Sequence, residues 1–161
     1  MPGHTAVDFG AGTGEYIFGL AEKVLSTGLV YAIDIQKQLL NKISREALEK
    51  GYKNVNTVWA DLEEEKSTGL SNETVDIVIV SNILFQIEDK KTLIEEAWRI
   101  LKFGGLMLIV EWSDSSAIGP TRESVITESE IQKICETDSR FSFKQSVPAG
   151  DHHFAVIYSK T

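Results

Sequence analysis

Glycine takes every second position in Gly10-Ala11-Gly12-Thr13-Gly14, between a short apolar run, Thr5–Phe9 (TAVDF), and a segment with helical spacing of apolar residues. A turn of this kind has no Cβ atoms on alternate residues. It can enter positive φ and let a ligand approach the backbone closely. A strand, a glycine turn and a helix in succession form the opening unit of an open parallel sheet. The remaining sequence repeats that alternation. The helix spans 15–25 with Ile17, Leu20, Ala21, Val24 and Leu25 on one face, and Gly28 lies where a C-terminal glycine is expected. A strand at Leu29–Ile33 precedes a helix at Gln36–Lys50, which carries Leu39, Leu40, Ile43 and Ala47 and is stopped by Gly51. Val55–Trp59 reads as a strand, Glu63–Thr74 as loop, and Val75–Val80 (VDIVIV) as a central strand buried on both faces. A helix follows at Asp89–Leu101 with Gly104 and Gly105 beyond its end, then a strand at Leu106–Glu111. Thr127–Thr137 reads as a helix whose capping box pairs Thr127 with Glu130. Phe141–Val147 and His153–Tyr158 form a hairpin through Pro148–Gly150.

The pattern predicts one α/β domain over residues 1–161, a mostly parallel sheet with helices on both faces and an antiparallel addition from the hairpin. Ligands of such sheets bind at the carboxyl ends of the strands. Composition narrows the partners. The net charge of −8 gives no counterion-release advantage on nucleic acid and none on an anionic membrane, and it suits a small or cationic ligand. No apolar run approaches the roughly 18 residues of a membrane span. The N-terminus shows no basic segment followed by an apolar one, so no signal peptide is read. A single cysteine, Cys135, excludes an internal disulfide framework, and a reducing cytoplasm is the expected setting.

Three carboxylates fall at strand ends. Asp8 opens the glycine turn. Asp34 ends the second strand, 20 positions after Gly14, where a carboxylate accepts both hydroxyls of a ribose or caps the next helix. Asp61 follows the third strand, where it accepts from an adenine amino group with Leu62 against the ring, or is solvated surface. The dinucleotide fingerprint needs glycine at 10, 12 and 15, but residue 15 is Glu, a poor neighbour for a pyrophosphate. A nicotinamide-dependent oxidoreductase is therefore the weaker reading.

Taken together, VDFGAGTGEY, YAIDI, WADL, IVSNILFQI and LKFGGLMLIVEW resemble the class I S-adenosylmethionine-dependent methyltransferases, and within them the small-molecule branch that includes the ubiquinone/menaquinone-biosynthesis type. The resemblance runs from Thr5 to about Lys160. It implies a Rossmann-like three-layer α/β/α sandwich on a seven-stranded sheet of order 3-2-1-4-5-7-6, with strand seven antiparallel. It implies that Asp8 and the loop of Gly10, Ala11, Gly12 and Gly14 hold the methionine end of S-adenosyl-L-methionine. Asp34 would then hold the ribose, Ile35, Asp61 and Leu62 would frame the adenine, and Ser81 and Asn82 would line the transferring methyl. The reaction would be in-line transfer of a methyl group to a small-molecule acceptor, leaving S-adenosyl-L-homocysteine. Its methyl arrives activated, so positioning, worth about 7–11 kcal/mol, is the main task of the protein.

Candidate bases for an acceptor of high pKa are Glu111, at the end of strand five, and His153, entering the last strand, with His152 a weaker third. Phe85 and Trp112 are candidate walls of an acceptor pocket, and the loop Ser113–Glu123, with Arg122, is expected to contact the acceptor. No metal site is expected. After strand four the chain reads SNILFQ and not the [DNS]-PP-[YFW] loop of enzymes that methylate amino groups in nucleic acids. The lone cysteine separates it from arsenite-methylating relatives. Four residues precede strand one, where members of the family usually carry N-terminal helices, so the expectation is a partly open cofactor site. The rival of a different class is a non-catalytic methyltransferase-like module that holds the cofactor or a partner protein. A homodimer through the exposed sheet edge is the expected assembly if the chain self-associates.

Overall fold

The protein is described by a computed structural model covering residues 1–113, 120–121 and 123–161. In chain order its elements are β1 (Thr5–Phe9), α1 (Ile17–Val24), β2 (Leu29–Asp34), α2 (Lys37–Glu49), β3 (Val55–Trp59), β4 (Val75–Ser81), α3 (Lys90–Ile100), β5 (Leu101–Trp112), α4 (Glu128–Glu136), β6 (Phe141–Val147) and β7 (His153–Lys160). The strands form a single sheet in the order β3-β2-β1-β4-β5-β7-β6. Strands β1 to β5 run parallel, and β7 is antiparallel to both β5 and β6.

Alternation along each strand divides the core between the two faces of the sheet. On β1, Ala6 joins Ile17, Leu20, Ala21 and Val24 of α1 and Leu40 and Ile43 of α2. Its neighbours Val7 and Phe9 join the opposite cluster with Leu93, Ile94 and Ala97 of α3 and Ile131 and Cys135 of α4. Helices thus cover both faces, the three-layer arrangement the strand–helix alternation predicts. Within β4, Val78, Ile79 and Val80 are consecutive and all buried, as a strand covered on both faces requires. The capping box at Thr127 and Glu130 is formed. Among the described residues, no helix is long and apolar enough to cross a membrane.

Three local expectations are corrected. Strand five begins at Leu101, not Leu106: Leu101 pairs with Val75, the register shifts, and pairing resumes at Ile77 with Leu106. The glycines at 104 and 105 therefore shape an irregularity within the strand. The last strand extends past Tyr158 to Lys160, because the polar end of Lys160 is satisfied internally. Its Nζ donates to the Leu101 carbonyl at 2.8 Å and lies 4.2 Å from the Trp98 ring centroid. Gly28 does not supply the positive-φ residue after α1. That role falls on Leu25, at φ 61°, whereas a Cβ on Gly28 would strike the His4 carbonyl and lie 2.6 Å from Val24 Cβ. Gly28 is needed for close approach, and the positive φ after α1 is taken by Leu25, with ψ −177°.

Ile109 is fully buried in β5, opposite Val80 on one side and Val156 on the other. Ile109→Ala is expected to cost about 2–5 kcal/mol, read as a fall in the urea midpoint without a change in slope.

Candidate functional site

The strand order reverses direction at β1 and β4, and a cleft of about 460 Å³ opens at their carboxyl ends. Asp8, Gly10, Ala11, Gly12, Asp34, Ile35, Asp61, Leu62, Ser81 and Asn82 all line it. Gly14 does not. It sits behind the loop, where a Cβ would lie 3.1 Å from Ile43 Cγ1. Glycine at position 10 is likewise a packing requirement: at φ +70° any Cβ would run into the Ile83 side chain. Only Gly12 faces open space, with its nearest neighbour, the Gly10 carbonyl, 3.8 Å from where a Cβ would be.

The loop's shape is held from β2. Both Gly10 and Ala11 donate their N–H to the Ile33 carbonyl at 2.9 Å. The two oxygens of Asp34 are divided: Oδ2 accepts from the Gly12 N–H and Oδ1 from the Gln36 N–H, each at 2.8 Å. Asp34 therefore ties the glycine loop to the start of α2 while lining the cleft. Ile35, 53% exposed, is fixed through its carbonyl, which accepts from Trp59 Nε1 at 2.8 Å. Asp61 uses Oδ1 to accept from the Glu63 N–H at 3.0 Å. Leu62 is buried against the core.

The charged groups lining the cleft are Asp8, Glu15, Asp34, Asp61 and Glu63, and no lysine, arginine or histidine lines it among the described residues. Asp8 is 2% exposed, and its carboxyl makes no hydrogen bond among the described residues. Burial, followed by repulsion from Asp34, raises its carboxyl from 3.8 to about 7. A carboxyl in that state accommodates a positive charge readily and a pyrophosphate poorly. Asn82 stands at φ 53°, with Oδ1 buried and unpartnered among the described residues. Ser81 Oγ donates to the Tyr16 hydroxyl at 3.3 Å, which joins the start of α1 to the end of β4.

Both expected base candidates lie outside the cleft. Glu111 is 1% exposed, and its Oε1 accepts the N–H groups of Ile83 and Leu84 at 2.9 and 2.7 Å. Burial raises its carboxyl pKa, and these amide contacts partly offset the rise. His153 packs on Trp112 with ring centroids 4.2 Å apart, and its Nε2 is buried without a partner among the described residues. Phe85 faces a separate depression with Ile126 and Ile134, not the cleft. Of the loop Ser113–Glu123, residues 114–119 and 122, including Arg122, lie outside the described residues.

Residues not singled out from sequence also line the cleft, notably Tyr16, Ile83, Gln86 and Ile87. Their common signal is position, in the segments that follow β1 and β4 at the carboxyl edge of the sheet, and three of the four are apolar or aromatic.

A family model described as a methyltransferase domain matches residues 2–152. The chain belongs to this methyltransferase family. It is 29% identical over 117 residues to the demethylmenaquinone methyltransferase of Anoxybacillus flavithermus, covering 73% of this chain and 48% of that protein. It is 33% identical over 113 residues to the ubiquinone/menaquinone biosynthesis C-methyltransferase of Pasteurella multocida, covering 69% and 41%. The chain thus spans about half the length, or less, of these relatives. A solved SAM-dependent methyltransferase from Aquifex aeolicus superposes with a TM-score of 0.88 at 28% identity, over 99% of this chain and 84% of that one.

Two outcomes follow from the geometry. Folded Asp8 titrates near 7 and the unfolded chain near 3.8, so the folded state binds the extra proton between those values. Stability of the empty protein should fall as pH rises through that window, and Asp8→Asn should flatten this part of the profile in thermal melts across pH 4–8. Gly10→Ala combines a left-handed φ with a clash on Ile83 and should cost roughly 2–4 kcal/mol. Adding Ile83→Ala should return part of that loss in chemical denaturation.

Proposed function

We propose that the chain binds S-adenosyl-L-methionine in this cleft and directs its methyl group, by in-line displacement, to a small-molecule acceptor. The observation that carries the reading is that every charged group lining the cleft among the described residues is acidic, with the buried carboxyl of Asp8 among them. The group supplies, when bound, a methyl already activated on a positively charged sulfur. Two features of the cleft fit it. Asp8 is a buried carboxyl that gains by meeting a cation, and Asn82 Oδ1 is a buried acceptor in want of a donor. Family membership and the likeness to a SAM-dependent methyltransferase support the same reading.

On this reading the Gly12 face of the loop receives the methionine end, with Asp8 beneath it. Asp34 accepts from the ribose hydroxyls while holding the loop. Ile35 and Leu62 flank the adenine, with the second oxygen of Asp61 toward its amino group. Ser81 and Asn82 line the methyl, and Tyr16, bonded to Ser81, excludes water from that side. Neither Glu111 nor His153 lines the cleft, whose charged groups among the described residues are carboxylates already given other roles or set at its rim, so an acceptor that is already nucleophilic suits it best. Acceptors of the quinone class named by the menaquinone and ubiquinone relatives, in the reduced quinol form whose ring carbon is nucleophilic, are the first to screen. We assign the protein to the cytoplasm, supported by its single buried cysteine, whose thiol burial pushes up to about 12. The net charge of −8 supports a partner that is not nucleic acid.

Parallel calorimetric titrations with S-adenosyl-L-methionine, S-adenosyl-L-homocysteine and NAD test the reading. Binding of the first two and not the third is expected, and the reverse would overturn it. Asp34→Ala should weaken S-adenosyl-L-homocysteine by ten- to a hundredfold, the scale of a lost charged hydrogen bond worth ~1.5–3 kcal/mol. Unchanged affinity would remove the ribose assignment.

A further inference from the structure

The segment between β4 and α3 is a strap along one wall of the cleft, with Ile83, Gln86 and Ile87 lining it. It holds together internally by local bonds: the Gln86 N–H to the Ile83 carbonyl at 2.9 Å and Gln86 Nε2 to the Asn82 carbonyl at 3.2 Å. At each end a carboxylate accepts two consecutive backbone N–H groups. Inside the protein, Glu111 takes those of Ile83 and Leu84. At the surface, one oxygen of Glu63 takes those of Glu88 and Asp89, at 2.7 and 2.8 Å.

The two anchors differ in kind. Glu111 is buried on the strand beside the strap. Glu63 is exposed and comes from the loop after β3, so its two bonds cross from one wall of the cleft to the other. That loop also supplies Asp61 and Leu62, whereas Ile87 immediately precedes the bonded amides. No other hydrogen bond among the described residues joins residues 61–65 to residues 82–89. Parting them would separate the walls at one end of the cleft while Glu111 keeps the other end in register.

We infer that Glu63 is a positioning residue that latches the strap beside the bound cofactor and thereby sets how long the cofactor stays. The inference rests on the reading that the cleft holds S-adenosyl-L-methionine. Glu63 acts through the amides of Glu88 and Asp89 and not by contact chemistry. An isosteric amide keeps one acceptor oxygen, so Glu63→Gln should retain part of the effect. Glu63→Ala should lose it.

The experiment is stopped-flow release of S-adenosyl-L-homocysteine from the full chain, with amide exchange of Glu88 and Asp89 followed in parallel. Glu64→Ala is the control: it removes the same charge one residue along, from a side chain with no partner among the described residues. Glu63→Ala should release the ligand roughly tenfold faster, with Glu63→Gln between it and wild type and Glu64→Ala within about twofold of wild type. Exchange at Glu88 and Asp89 should quicken most in Glu63→Ala, less in Glu63→Gln, and not in Glu64→Ala. Faster exchange with unchanged release would overturn the latch, because the bonds would then be structural only. Equal acceleration by Glu64→Ala would also overturn it and assign the effect to charge. Failure of the wild-type chain to bind S-adenosyl-L-homocysteine would instead overturn the cofactor reading, and the latch with it.

Discussion

The site depends first on how one carboxylate is shared. Asp34 gives one oxygen to Gly12 and the other to Gln36, so the glycine loop, the end of β2 and the start of α2 are fixed by a single side chain. Charged acceptors make hydrogen bonds stronger than neutral ones, and the donors here are backbone groups of a loop, Gly12, and of a helix N-cap, Gln36, where partners are otherwise scarce. With Gly10 and Ala11 also bonded to Ile33, the loop has little freedom left. The same arrangement places a negative charge near Asp8, which is how the anchor of the loop also shapes the electrostatics of the cleft.

The parts of this design that are local along the chain are legible in the amino-acid sequence. Glycines at 10, 12 and 14 report turn geometry; Val75–Val80 reports burial on both faces; Thr127 and Glu130 report a cap. Placing Asp34 and Asp61 at strand ends needs only the periods of the flanking elements. What escapes a reading of the sequence depends on pairing between distant residues. The early start of β5 rests on Leu101 meeting Val75, and nothing within LKFGG announces that partner. Lys160 lies past the strand read from sequence, and its burial is explained by distant partners: the Leu101 carbonyl, the Glu73 carboxylate and the Trp98 and Phe103 rings.

Side-chain direction is also illegible in residue order. Glu111 sits at a strand end, where an acid is well placed for chemistry, but its carboxylate turns to two backbone amides instead of the cleft. Ile83 and Ile87 have the composition of core and yet form a wall of the cleft. Their contribution is shape, and shape is not a property of residue type.

The desolvated carboxyl of Asp8 has a consequence for how the cleft is loaded. With the cleft empty and the solution near neutrality, a proton occupies the place that a positive charge would otherwise fill. A cationic ligand arriving there exchanges with that proton, and the buried charge changes little between the two states. Loading would then acidify the surrounding buffer by a fraction of a proton per molecule bound, and the heat of binding would carry the signature of whichever buffer took that proton up.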